Sequence, residues 1–227
     1  MFRSIASKMG AATLAAILGT GLAANVNAQG KDSGFLKDYS QLKSEKDPLG
    51  AERRVWRSPK FTRANYQKVL MEPVSFYPAP QPSEQVSMGA LEDIRAYGDG
   101  AMRKALATVF PLTDAPGPGV IRLRTAITAA AVGDLALKAD QLVPVALIFT
   151  AAKAASGQGS RDVKLFVESE LTDSVSGEPL ARIVREAQGV QVKSNAKLTL
   201  KDARPQIDKW TQAMQQWLAA RMKPDGR

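Results

Sequence analysis

Apolar and polar side chains alternate along the chain from Val163 to Thr172. A period of two is typical of a half-buried β-strand. Turn-forming residues follow in Asp173–Gly177, and an apolar pattern resumes in Leu180–Gln188. Together these three segments predict a β-hairpin in which one face of the strands is more polar than the other.

Two other segments repeat their apolar residues at helical spacing. The first runs from Glu84 to Phe110, where Gly98 and Gly100 each cost up to about 1 kcal/mol relative to alanine and predict a break near residue 99. The second ends the chain, and we expect Asp202 as its cap and Pro205 in its first turn. Its apolar stripe consists of Ile207, Trp210, Met214, Trp217, Leu218 and Met222.

Two more strands are predicted ahead of the hairpin. Tyr66–Tyr77 is rich in apolar residues, and Pro73 within it indicates an edge position or a bulge, because proline cannot donate to a central ladder. Val120–Ala130 is the other strand, and an alanine- and leucine-rich insert, 134–156, separates it from the hairpin. This order predicts an α+β fold, an antiparallel or mixed sheet covered by two main helices in a two-layer sandwich.

The sandwich is expected to occupy residues 64–227 as a single domain. Residues 29–63 are polar, lack a sustained period and contain the breakers Pro48, Gly50 and Pro59. They predict an extended polar lead-in that packs locally.

Residues 1–28 have the three parts of a cleavable signal peptide. Arg3 and Lys8 give a cationic start, Ala11–Ala24 is apolar, and small residues precede an expected cleavage between Ala28 and Gln29. A membrane-spanning helix needs about 20 apolar residues, and this run is shorter. The sequence therefore predicts a periplasmic protein with no transmembrane segment in the mature chain, and association with the outer membrane stays open as an alternative.

Charge narrows the choice of partners. The full chain has a formal net charge of +9, and removal of Arg3 and Lys8 with the signal leaves +7. Such a surface favours anionic neighbours. In an exported protein these are envelope proteins or an anionic envelope surface, and nucleic acid is excluded as a partner.

Cations and aromatic rings concentrate in one place, which we call the basic aromatic segment. Two interpretations of it stay open. The rings could lie at the headgroup level of a membrane with the cations around them, or they could pack onto the sheet while the cations stay in water. The segment consists of Arg53, Arg54, Trp56, Arg57, Lys60, Phe61 and Arg63.

The chain has no histidine and no cysteine, which removes several classes of enzyme. Ser-His-Asp hydrolases, zinc peptidases and thiol nucleophiles are excluded. Glu168 and Glu170 share one face of the predicted strand and could bind a cation or share a proton, but we expect that face to be solvated. We predict no catalytic residue, no metal ligand and no cofactor.

Three stretches of the chain form a recognisable set, and they are Ser33–Leu42, Gly117–Thr128 and Glu170–Ala181. In this order and spacing they resemble a bacterial lipoprotein family, domain of unknown function 3313. The resemblance implies a cell-envelope protein of uncharacterised function with no catalytic residues to transfer. Members commonly carry a lipid-attachment cysteine after the signal, whereas Ala28 and Gln29 stand at that place here.

The sequence therefore predicts a non-enzymatic periplasmic binding or interaction domain. The alternative is a membrane-peripheral structural protein held by the basic aromatic segment. A third hypothesis is an enzyme that uses carboxylates or lysine.

Overall fold

The computed structural model describes residues 32–80, 87–132, 160–193 and 197–222, without the side chains of 129–132, 160–165 and 186–193. The predicted signal peptide with its cleavage site at Ala28 and Gln29, and the insert 134–156, lie outside the described residues. The elements are β1 (Lys43–Lys46), β2 (Glu52–Arg57), β3 (Lys68–Met71), β4 (Ser75–Phe76), α1 (Met88–Ala107), β5 (Val120–Val132), β6 (Ser160–Asp173), β7 (Pro179–Lys193) and α2 (Leu200–Arg221).

The strands form one seven-stranded sheet in the order β1-β2-β7-β6-β5-β3, with β4 also paired to β5. Neighbouring strands are antiparallel, except that β3 and β4 run parallel to β5. Both helices contribute to one large core with the sheet. The predicted α+β class, with a mixed sheet and two helices, is confirmed.

The predicted hairpin is the centre of this sheet. Strands β6 and β7 pair antiparallel, with Val167 opposite Arg185. Asp173 closes their turn, since its carboxylate accepts the backbone N–H groups of Val175 (3.0 Å) and Ser176 (2.8 Å). Gly177 has a φ of 73°, a conformation that glycine adopts without strain.

The predicted strand 66–77 is two short strands, β3 and β4, with Pro73 between them. β3 lies at the end of the strand order, which agrees with the edge position predicted from this proline.

Helix α1 differs from its prediction because it continues through Gly98 and Gly100 without a break. Buried anchors on both sides of the glycines hold it against the sheet, so packing outweighs the weak local propensity. These anchors are Leu91, Ile94, Ala105 and Leu106. Ser87 caps the helix by accepting the Ala90 N–H at 3.1 Å.

Helix α2 begins earlier than predicted. Thr199 is its N-cap, and the Asp202 carboxylate accepts the Thr199 N–H at 2.9 Å in a capping box. Pro205 therefore lies in the second turn, not in the first. The lost backbone bond is tolerated because the apolar stripe packs against the sheet, with Ile207, Trp217 and Leu218 buried.

The largest difference from the prediction lies in residues 29–63. Among the described residues of this range, those of β1 (Lys43–Lys46) and β2 (Glu52–Arg57) are not an extended lead-in but strands of the sheet, and β2 pairs with β7. The pattern is hidden in the sequence since Arg53 and Arg57 take alternate positions on the face where apolar residues would be expected. No helix within the described ranges is long and apolar enough to cross a membrane.

Candidate functional site

The basic aromatic segment is divided between the two faces of the sheet. Alternation along β2 sends Arg53 and Arg57 towards α2, where their guanidinium carbons lie 5.1 Å and 6.0 Å from the Trp217 ring centroid. Arg54 points to the opposite face and lies 5.9 Å from the ring of Tyr39. Both orientations place cations on aromatic rings of the protein itself.

The remaining members of the segment also have intramolecular partners. Phe61 is fully buried in the main core. Arg63 donates to the Val109 carbonyl at 3.1 Å, and Lys60 pairs with Glu178 at 2.8 Å. Of the seven residues, Lys60 alone is exposed. Trp56 is half-buried, and the guanidinium carbon of Arg182 lies 5.6 Å from the centroid of its ring. A contact of this segment with an anionic surface stays a prediction.

Residues 32–42, which we call the strap, cover part of the sheet face opposite the helices. Phe35 and Leu36 are buried there in a small second core with Ala126 and Val184. The strap also lies over Glu168, which is 1% exposed. The expectation that Glu168 and Glu170 lie on a solvated face is therefore wrong, since the strap excludes water from it.

Glu168 is held by two hydroxyl groups. Tyr39 donates to its Oε2 at 2.6 Å, and Thr128 donates to its Oε1 at 3.0 Å. The Tyr39 oxygen also accepts the backbone N–H groups of Gly34 (3.0 Å) and Leu36 (3.1 Å). Burial and then the Glu168 hydrogen bond raise the pKa of Tyr39 to about 12. This hydroxyl fastens the strap to the sheet.

Glu170 belongs to an ion network beside this contact. Its carboxylate accepts from Arg124 at 3.2 Å and from Arg182 at 3.3 Å. Arg182 also donates a hydrogen bond to Asp38 of the strap at 3.0 Å. Within the described residues, no cluster of acidic side chains is arranged to hold a metal ion. The carboxylates of this face already accept hydrogen bonds from the protein itself. This face is therefore suited to holding the strap on the sheet and not to binding a ligand.

The opposite face contains a cavity of about 90 Å³ between the sheet and the two helices. One water molecule needs about 10–15 Å³ on this scale, so the enclosed space takes about six to nine non-hydrogen atoms of a ligand, and a longer ligand would extend through the open side. Its inner wall is apolar and buried, and includes Leu106, Phe110, Ile121, Leu171 and Leu218. An apolar cavity of this kind binds apolar groups better than water.

The side on which the cavity opens is marked by lining residues that are only half-buried. Two methionines and a tryptophan line this side from α1 and α2, and flexible thioethers adapt to apolar groups of different shape. The half-buried lining residues are Gly98, Met102, Ser169, Ile183, Trp210 and Met214.

Gly98 has a specific effect on this opening. A Cβ atom built on Gly98 would meet nothing within 4 Å, so glycine is not required there by a steric clash. Glycine inside a helix costs about 1 kcal/mol relative to alanine. Its consequence here is that the α1 side of the cavity carries no side chain at this position.

Two arginines bring charge into a lining that is mostly apolar. Arg53 and Arg185 face each other on the neighbouring strands β2 and β7, and both line the cavity. Arg53 pairs with Glu45 at 2.6 Å, and Arg185 pairs with Asp47. Burial lowers the pKa of Arg185 to about 10, so its guanidinium still carries its charge at neutral pH.

The sequence pattern does not indicate this cavity. It identifies Arg53, but as a surface cation, and it does not single out Arg185 at all. A weak signal exists, because Arg185 stands in alternation with Ala181 and Ile183 on a predicted strand, at a position where an apolar residue is expected. Gly98 stands out in the sequence only as a helix-weakening residue.

Solved structures match this chain only at a distance. A PelC dodecamer from Paraburkholderia phytofirmans matches with a TM-score of 0.35 and 14% identity, over 72% of this chain and 96% of that one. The hypothetical protein CT253 from Chlamydia trachomatis matches with a TM-score of 0.39 and 8% identity, over 68% and 99% of the two chains.

Similarity in sequence is much closer. The uncharacterized lipoprotein YdcL of Escherichia coli K12 is 33% identical over 170 residues, which are 75% of this chain and 77% of the relative. The same protein of Escherichia coli O157:H7 matches equally. The model of the family described as protein of unknown function (DUF3313) matches residues 31–214. The resemblance found in the sequence is thereby confirmed, and the chain belongs to this lipoprotein-like family.

Proposed function

We propose that this protein is an exported, non-enzymatic binding protein of the bacterial cell envelope, and that its site is the cavity between the sheet and the helices. The observation that carries the proposal is the cavity itself, about 90 Å³ in volume, apolar inside and bounded by half-buried residues on one side. An apolar pocket with a few convergent polar groups is the usual form of a small-molecule site.

The envelope location is supported by the signal-peptide pattern in residues 1–28 and by a relative whose name is that of a lipoprotein. A binding role, as opposed to catalysis, is supported by the engaged state of the carboxylates on the strap face. Glu168 and Glu170 are buried and accept hydrogen bonds from Tyr39, Thr128, Arg124 and Arg182.

Intramolecular pairing of the basic aromatic segment favours the cavity over a membrane-peripheral role. Arg53 and Arg57 both pair with Glu45, and Arg54 pairs with Asp32. A cation that already has a carboxylate partner contributes less to the attraction of a lipid surface.

A pair of glycine substitutions tests the proposal. Gly98→Leu places a side chain in the cavity, whereas Gly100→Leu makes the same change two residues on, at an exposed position that does not line the cavity. Neither added Cβ meets an atom within 4 Å. Since both changes remove a glycine from the helix, both variants should be at least as stable as the wild type.

The measurement is the fluorescence of N-phenyl-1-naphthylamine, a neutral apolar probe, titrated into the purified protein and the two variants. We expect the wild type and Gly100→Leu to bind it, and Gly98→Leu to bind about tenfold more weakly, a difference of about 1.4 kcal/mol. Equal binding by both variants, or no binding by the wild type, would refute the cavity as the site.

A further inference from the structure

The cavity combines an apolar interior with a charged wall, and this combination carries information about its ligand. Arg53 and Arg185 are the charged side chains among the described lining residues, and they lie next to each other as cross-strand partners. Like charges directly opposite each other on neighbouring strands destabilise a sheet unless negative charge lies close by.

Negative charge near this pair is limited among the described residues. Glu45 contacts Arg53, and Asp47 contacts Arg185. Glu45 also pairs with a third arginine, Arg57, whose side chain is 33% exposed and does not line the cavity. Each buried guanidinium at the cavity wall therefore has one carboxylate partner, and donors that this carboxylate leaves unused favour an anion there.

The arginines also retain hydrogen-bonding capacity. The side chain of Arg185 is 9% exposed, and among the described residues it donates to Asp47 and to the Trp210 carbonyl at 3.2 Å. The side chain of Arg53 is 5% exposed and donates through Nε and one terminal nitrogen to a single oxygen of Glu45. A guanidinium has five N–H donors, so each arginine has donors left over that are shielded from water.

One of these arginines lies next to the side on which the cavity opens. Arg185 is hydrogen-bonded to the backbone of Trp210, which is one of the half-buried residues on the open side. The deeper wall, including Phe110, Ile121 and Leu171, carries no charge. A ligand entering here would meet the arginines with its polar end while its apolar part lies between sheet and helices.

We infer, on the basis of the proposed function, that the ligand is a single aliphatic chain with an anionic head group, of which a medium-chain fatty acid is the simplest example. The head group accepts hydrogen bonds from Arg53 and Arg185, for which carboxylate and phosphate have the matching geometry. The chain fills the apolar space. A fatty acid and a single-chain phospholipid share this chemistry, and different head groups distinguish them.

The experiment compares head groups on one chain length. The purified protein is saturated with N-phenyl-1-naphthylamine, and four ten-carbon ligands are titrated against it separately: decanoate, decyl phosphate, decanol and decylamine. The quantity measured is the ligand concentration that displaces half of the probe. We expect an anionic ligand to displace the probe at about a tenfold lower concentration than decanol, and decylamine to be the weakest, since the arginines donate to a charged acceptor more strongly than to a neutral one. Preference for the phosphate over the carboxylate would indicate a phospholipid source, and the reverse a fatty acid.

Outcomes of this experiment separate the two proposals. Equal displacement by decanoate, decyl phosphate and decanol would overturn the anionic head group and leave the apolar site standing. A wild-type protein that binds neither the probe nor any of these ligands would overturn the proposed function as well.

Two arginine variants test the direct contact. Arg53→Met removes a guanidinium from the cavity wall, and Glu45 keeps Arg57 as its partner. Arg57→Met removes the same charge from the same carboxylate, but Arg57 does not line the cavity. We expect Arg53→Met to reduce the preference for decanoate over decanol from about tenfold to about threefold or less, and Arg57→Met to preserve it. An equal loss in both variants would refute contact through Arg53.

Discussion

The two faces of the sheet are built from the same strands but are buried in different ways. On β6, Val167 and Leu171 point to the helices and belong to the large core, whereas Glu168 and Glu170 point to the strap and are buried as ions or hydrogen-bond acceptors. Two helices of 20 and 22 residues cover the first face. The strap brings only a few apolar side chains to the second, chiefly Phe35 and Leu36.

This difference shows that the covering element decides what a buried face contains. Two long amphipathic helices bring enough apolar surface to cover the core, even though a cavity remains between them and the sheet. A short strap cannot, so the second face is held by charges that neutralise each other and by hydroxyls that satisfy carboxylates. We therefore expect the removal of one hydrogen-bonding or charged partner on the strap face to lower the free energy of unfolding. The helix face, in contrast, should tolerate an added side chain.

The largest expected effect is on the ion network of the strap face. Arg182 is 8% exposed and donates to both Glu170 and Asp38, so Arg182→Met leaves the buried Glu170 carboxylate with Arg124 as its one cationic partner among the described residues. We expect a loss of about 3 kcal/mol in the free energy of unfolding, because a buried charge that loses its partner is strongly destabilising. Urea unfolding at neutral pH measures it.

The double variant Glu170→Leu/Arg182→Met is the control for this substitution. It removes both charges from the buried position, and it should unfold within about 1 kcal/mol of the wild type, since a buried ion pair is often replaceable by apolar residues. A double variant as unstable as Arg182→Met would show that shape, and not unpaired charge, explains the loss.

Sequence patterns predict the helix face well and the strap face badly. The stripe of α2 and the alternation of β6 are strong periodic signals, and they place Trp217 and Val167 in the core correctly. Alternation alone cannot tell a solvated polar face from one that a distant segment covers. The contact that decides this for Glu168 comes from Tyr39, 129 residues away in sequence.

The next effect concerns the fastening of the strap. Tyr39→Phe keeps the ring but removes the hydroxyl that donates to Glu168 and accepts two backbone N–H groups. We expect a loss of about 2 kcal/mol in unfolding free energy, because buried polar groups lose their partners. Tyr77→Phe is the matched control, since Tyr77 is 40% exposed and lies edge-on to Phe35 of the same strap. Equal losses in both variants would contradict the fastening.

The same hydroxyl predicts a pH dependence. In the folded state the pKa of Tyr39 is raised from 10.0 to about 12 by burial and by Glu168, so folding favours the protonated phenol. Its contribution is fully present below pH 10 and is lost as pH rises towards 12. The stability difference between wild type and Tyr39→Phe should therefore shrink over this interval in urea unfolding, while other titrating groups are common to both proteins. A difference that stays constant up to pH 12 would contradict this assignment.

The candidate site is less predictable than the fold, for a physical reason. A cavity is the space that side chains of several elements fail to fill, and no local pattern records such a space. Arg53 attracts attention in the sequence because cations surround it, yet its position beside Trp217 depends on α2, a helix near the other end of the chain. Gly98 becomes informative only when the volume around it is known.

The smallest expected effect is on an ion pair outside both faces. Lys60 and Glu178 are joined at 2.8 Å, but their side chains are 63% and 46% exposed. We expect Lys60→Ala to change the unfolding free energy by less than about 0.5 kcal/mol, because water screens an exposed pair and replaces its partner. Urea unfolding of Lys60→Ala and Arg182→Met under the same conditions compares the two losses in free energy. Arg182 and Lys60 each pair with a glutamate and differ in burial, so a similar cost for both substitutions would mean that burial is not what makes the strap face depend on its charges.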